Sequence, residues 1–179
     1  KVINLVVTEK MIPDEWKPKL RDKVFFLNTG INGLLKNGEK SLLKIQYILE
    51  VAERENVTLL WRPHPLLEAT ICSMRPELWE TYVETVEKFC RYKNGILDRT
   101  ENAELAIKLS DAYLGEPTSS ISHMFGILGK PLFFINQGIL EESREVENIK
   151  ICCCIMDAAD NQHLWACASG RNGLMKITE

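Results

Sequence analysis

Apolar positions along this chain fall into two alternating patterns. One is the short, nearly unbroken apolar run: Val24-Phe25-Phe26-Leu27-Asn28, Val57-Thr58-Leu59-Leu60-Trp61, Gly95-Ile96-Leu97-Asp98, Ala112-Tyr113-Leu114 and Pro131-Leu132-Phe133-Phe134-Ile135-Asn136. Runs of this length without polar alternation mark strands buried on both faces. The other pattern is a stripe at helical spacing. It predicts a helix over 39–55 with Leu42, Ile45, Leu49 and Ala52 on one face and an i,i+4 pair of Glu50 and Arg54 on its surface. It predicts a second helix over 77–92 with Leu78, Tyr82, Val86 and either Phe89 or Cys90 inward, and a short one over 102–109. A last helix follows the serines at 119–120, runs through Met124-Phe125-Gly126-Ile127-Leu128 and is ended by Gly129-Lys130.

Strand and helix therefore alternate through five strands. That order predicts a doubly wound α/β fold, Rossmann-like, with one parallel five-stranded sheet in the order 3-2-1-4-5 and helices on both faces. Residues 1–22, punctuated by Pro13-Asp14-Glu15-Trp16-Lys17-Pro18, read as a connector from an upstream domain, with Trp16 docking on the main body. Residues 23–138 form the expected nucleotide-binding domain, and 139–179 a charged linker followed by a β-rich tail. In that tail Leu164-Trp165-Ala166 and Asn172-Gly173-Leu174 resemble a β-propeller blade, and a meander on the sheet edge fits the same pattern.

In such sheets ligands bind beyond the carboxyl ends of the strands. The loops expected there are 28–33, 62–65, 98–100, 115–120 and 136–138. The stretch Gly115-Glu116-Pro117-Thr118-Ser119-Ser120 reads as strand, sharp turn and helix start. Thr118, Ser119 and Ser120 are all N-cap residues, and a helix start offers unpaired N–H groups and partial positive charge to a phosphate. Arg62-Pro63-His64-Pro65 adds a guanidinium whose fork matches phosphate oxygens, an imidazole able to exchange a proton, and two stiffening prolines. Thr29, Gly30 and Glu116 join the candidate substrate contacts, and His64 is the candidate catalytic group.

Composition narrows this picture. The chain has 179 residues, 45% hydrophobic and 26% charged, with a net charge of −3, so bulk electrostatics point to neither nucleic acid nor an anionic membrane surface. No apolar run approaches a membrane span, no signal peptide is visible, and the six cysteines contain no C-x-x-C. The expected compartment is the cytoplasm, with a place peripheral to the membrane for the full-length protein. No G-x-G-x-x-G follows the first strand, and neither a P-loop nor a G-x-S-x-G elbow is present. No Asp-x-Asp or other metal cluster appears, so neither a metal nor a cofactor is expected.

Taken together, Trp61-Arg62-Pro63-His64-Pro65, Asp111-Ala112-Tyr113-Leu114-Gly115, Thr118-Ser119-Ser120 and Gly129-Lys130-Pro131 resemble the C-terminal half of a GT-B transferase. The group they resemble most is the CDP-glycerol:poly(glycerophosphate) glycerophosphotransferase-like family, over about residues 10–137. The resemblance implies a donor-binding half facing a missing N-terminal acceptor-binding half across a cleft. It implies a CDP- or UDP-linked donor used in cell-surface (cell wall) polymer synthesis. It further implies diphosphate contacts from Arg62, His64, Thr118, Ser119 and Ser120, and a metal-independent reaction that this chain alone does not complete. Where family members often carry Asp just before the paired serines, this chain has Glu116-Pro117-Thr118, which leaves the donor's identity open. A non-catalytic nucleotide- or sugar-phosphate-binding module, regulatory through the β-rich tail, and a nucleotide-sugar epimerase share the same architecture, and the tail is also the expected route to any oligomer.

Overall fold

A computed structural model describes residues 5–116 and 119–135. Thr118, the 136–138 loop and the expected β-rich tail lie outside the described residues. Five strands, β1 (Val24–Thr29), β2 (Thr58–Pro63), β3 (Gly95–Leu97), β4 (Ala112–Gly115) and β5 (Leu132–Phe134), form one sheet in the order β3-β2-β1-β4-β5. Every neighbouring pair is parallel. The expected doubly wound α/β architecture is therefore the observed one.

Strand alternation divides the core into two layers. Leu27, Leu59, Trp61, Ala112, Leu114 and Phe133 point to one face, where they meet Leu42, Ile45, Leu49 and Ala52 of α2 (Glu39–Arg54) and Tyr82 and Phe89 of α4 (Trp79–Arg91). Val24, Phe26, Leu60, Ile96 and Tyr113 point to the other, against Ala106 and Ile107 of α5 (Glu104–Leu109) and Phe125 of α6 (Ser120–Ile127). Phe26, Tyr113 and Phe125 pack ring against ring at centroid distances of 5.4–6.3 Å. On α4 the inward choice falls to Phe89, fully buried, while Cys90 is exposed.

Trp16 is buried in the second layer, as the apolar pattern predicts. The segment around it is also laced to β2. Thr58 Oγ1 donates to Lys19 O and accepts from Arg21 N–H. At the amino edge of the sheet, Asp111 Oδ2 accepts the Val24 N–H at 2.8 Å, fastening the start of β4 to β1.

The structure departs from the pattern in four places. Residues 31–33, expected as part of a loop, open a seven-residue helix, α1 (Ile31–Asn37). Its end and the start of α2 meet at Gly38, where φ is 57°, a conformation that favours glycine, and Arg75 donates to Leu35 O at the end of α1. A further helix, α3 (Leu67–Met74), fills the stretch before 77–92 that the pattern left unassigned. Strand β2 runs on through Arg62 and Pro63, so these residues are in the sheet and not in a loop. Finally, Arg54 pairs with Glu55 at 3.2 Å and not with Glu50.

Candidate functional site

In this strand order the chain steps outward from β1 to β2 and β3, then crosses back to place β4 on the other side of β1. The reversal lies between β1 and β4, and the crevice beyond their carboxyl ends is where such sheets take ligands. A cleft of about 190 Å³ opens there. Its rim comes from the β1–α1 turn (Thr29, Gly30, Gly33), from Glu116 after β4, and from Lys36, Lys40 and Lys44. Leu42, Ile45 and Ile48 of α2 give it an apolar floor. Of the residues singled out from the sequence, Thr29, Gly30 and Glu116 line this cleft, whereas Arg62, His64, Ser119 and Ser120 are not among its lining residues.

Glu116 has an unusual seat. Its Oε1 accepts the Gly33 N–H at 3.1 Å. A Cβ on Gly30 would come within 2.6 Å of Oε2, and one on Gly33 would collide with Oε1. The two glycines therefore leave the space that the carboxylate fills. A carboxylate from this same chain rests on the turn that leads from β1 into α1.

The side chain that joins strand β2 to the start of α6 is Asn28, buried at the end of β1. It pairs in register with Arg62 on one side and Gly115 on the other. Its Nδ2 donates to Arg62 O at 3.1 Å, and its Oδ1 accepts from Ser119 Oγ at 2.9 Å. Tyr113 completes this hub, its hydroxyl donating to Glu116 O at 2.8 Å. Burial pushes the Tyr113 hydroxyl well above the usual tyrosine range. Ser119 also caps α6, its Oγ accepting the Ile121 N–H at 3.1 Å. One hydroxyl thus serves as both cap and donor to Asn28, while Ser120, the first residue of α6, is exposed.

Arg62 faces the opposite corner. Its guanidinium meets Asp98 Oδ2 at 2.6 Å and also donates to Thr100 O at 2.9 Å. The side chains of the pair are 11% and 0% exposed. Asp98 in turn accepts the Thr100 N–H and hydroxyl. The fork expected to grip a phosphate beside the serines instead closes the β2–β3 corner. The reason is topological: Arg62 and Asp98 end adjacent strands and point to the same face of the sheet. His64 is exposed just beyond β2, and its Nδ1 accepts the Leu66 N–H at 3.1 Å. A neutral His64 ring therefore carries its proton on Nε2.

Lys130, after α6, donates to Ile107 O at 2.8 Å and to Lys108 O at 3.0 Å, and also to Ser110 O. It caps the carbonyl end of α5, where a cation opposes the helix dipole. Burial holds its ammonium below the usual lysine range.

Sequence reasoning missed Asn28 and the three lysines of the rim. Asn28 was legible as the polar end of a buried strand. Lys40 and Lys44 were legible as an i,i+4 pair on the helix expected over 39–55, whereas Lys36 depends on α1, which the pattern did not predict. Among the described residues, no group of three or more His, Cys, Asp and Glu side chains could hold a metal ion, and no helix is long and apolar enough to cross a membrane. Set beside known proteins, the chain matches no family model, no curated protein and no solved structure.

Proposed function

We propose that this chain binds a nucleoside-diphosphate-activated donor at the β1–β4 crevice, as the donor-holding half of a GT-B-type glycosyl- or glycerophosphotransferase. The observation that carries the reading is the cleft itself. It lies at the reversal of strand order, has an apolar floor, and is rimmed by three lysines. An apolar wall beside convergent cations suits a ligand with one flat, weakly polar end and one anionic end. The volume of about 190 Å³ is below the roughly 300–1,000 Å³ of sites that enclose a whole small molecule. A second surface, supplied by an acceptor-binding half, would complete the enclosure and bring the group that activates the acceptor.

The internal engagement of Arg62 and Ser119 favours one alternative, a module that binds a phosphorylated ligand without transferring anything. The first test is calorimetry of the chain with CDP, UDP and NAD. Binding of a pyrimidine diphosphate in preference to NAD is the expected result. Equal or tighter binding of NAD rejects the transferase reading. Nucleotide release by a two-half protein containing this chain then separates enzyme from binding module.

A further inference from the structure

We infer that the phosphate groups of the ligand are held by Lys36, Lys40 and Lys44, and not by the loops after β2 and β4. The inference rests on the proposed binding of a phosphorylated ligand in the crevice and names the residues that would grip it.

Three observations converge. First, two of the donors that the sequence offers for a phosphate are engaged elsewhere. The Arg62 guanidinium closes on Asp98 and Thr100, and the Ser119 hydroxyl closes on Asn28. Second, the glycine turn after β1 already holds an anion, because Glu116 accepts the Gly33 N–H and sits against Gly30. A phosphate at that turn would meet a carboxylate in contact, and like charges at contact distance repel most strongly where water is partly excluded. The ligand's charge is thereby pushed outward along the cleft. Third, what lies outward is the lysine row. Lys36 is in the last turn of α1, Lys40 and Lys44 are one turn apart on α2, and all three line the same cleft. Among the described residues, none of the three has an ion-pair partner. In a chain whose net charge is −3, three unpaired cations along one concave wall are a local excess that a diphosphate would neutralise. An ammonium binds phosphate as a point charge with rotatable donors, so the row needs no fixed fork.

The test is calorimetry on the 179-residue chain with CDP and inorganic pyrophosphate, comparing the parent, K40A/K44A, S119A/S120A, E116Q and the control K93A. Lys40 and Lys93 are exposed and Lys44 is half-buried, so the lysine variants keep the fold, which melting temperature checks. K40A/K44A is expected to weaken both ligands at least tenfold, with a shallower dependence on salt, and K93A to leave them unchanged. E116Q keeps an oxygen for the Gly33 N–H but removes the competing charge, and is expected to tighten pyrophosphate severalfold. Parent-like binding by K40A/K44A, with a loss in S119A/S120A instead, overturns the lysine clamp and leaves the proposed function standing. Unchanged or weaker pyrophosphate binding by E116Q overturns the displacement of the phosphate from the turn. A parent chain that binds neither CDP, UDP nor pyrophosphate at millimolar concentration overturns both readings.

Discussion

Two cations at the carboxyl edge of the sheet, Arg62 and Lys40, sit in opposite circumstances. Arg62 lies at the β2–β3 corner, where the adjacent strand supplies Asp98, and the corner closes on itself with charge, hydroxyl and carbonyl partners in place. Lys40 lies at the β1–β4 crevice, where the only acidic side chain lining the cleft among the described residues, Glu116, is turned to a backbone N–H. The two regions have similar residue types and the same position relative to the strands. They differ in whether the chain satisfies its own polar groups. A corner that is satisfied internally holds the fold together, and a crevice left with unmatched charge is the place for something from outside. Arg62, the cation most eye-catching in the sequence, fell in the closed corner, and the cations left open were ordinary helix lysines.

The largest expected effect comes from breaking the closed corner. Asp98→Ala leaves the Arg62 guanidinium largely buried without its carboxylate and is expected to cost about 3–5 kcal/mol in urea unfolding. A loss below about 1 kcal/mol would make this pair equivalent to a surface one and erase the contrast between the two regions. Gly115→Ala strikes the other side. A Cβ there would come 2.5 Å from the Tyr113 hydroxyl and 2.6 Å from Asn28 O, so a destabilisation of about 1–3 kcal/mol is expected, read from the same curves. A neutral result would show that the Asn28–Tyr113 hub has room to yield.

Ser119→Ala removes the cap of α6 and the donor to Asn28, and is expected to cost about 1 kcal/mol. Nucleotide affinity should stay near that of the parent, because the hydroxyl is engaged within the chain. A strong loss of affinity with little change in melting temperature would move the site back to the serines. The smallest effect is silent at neutral pH. Burial raises the Tyr113 and Tyr82 hydroxyls above the usual tyrosine range, so the folded chain keeps these protons longer than the unfolded chain does. Their contribution is complete below a pH of about 10 and is lost as pH climbs from there toward the folded values. Unfolding curves between neutral and alkaline pH should steepen above that point, and Tyr113→Phe should flatten the slope. An unchanged slope in that variant would remove Tyr113 from the account.

The sheet was legible because its strands are continuous apolar runs and its longer helices carry clean stripes. Five such strands separated by helices admit few parallel arrangements. Helix α1 was not legible because Gly30, Gly33 and Gly38 punctuate it, and glycine weakens any helical reading. Here the glycines at 30 and 33 make room for Glu116, a partner 83 residues from Gly33, which no local pattern reveals. The fate of Arg62 was hidden in a similar way. Its partner Asp98 is 36 residues on, and pairing them required both the strand order and the face of each side chain. The predicted order placed β3 beside β2, and strand alternation placed Arg62 and Asp98 on one face. The pairing follows once those are combined.

The seam between β1 and β4 also bears on how the chain assembles. The pairing of β1 with β2 joins residues 34 apart, as in Val24 with Thr58, whereas the contacts across the seam span 83 to 91 residues, from Gly33–Glu116 to Asn28–Ser119. Loops that long close late, after the shorter ones have been repaid by contacts. The β1–β2–β3 half, with α2 and α4 against it, can gather as a unit before β4 arrives. The crevice does not exist until that last closure, because one wall belongs to each side of the seam. Whatever occupies it would act as a clasp across that long-range join.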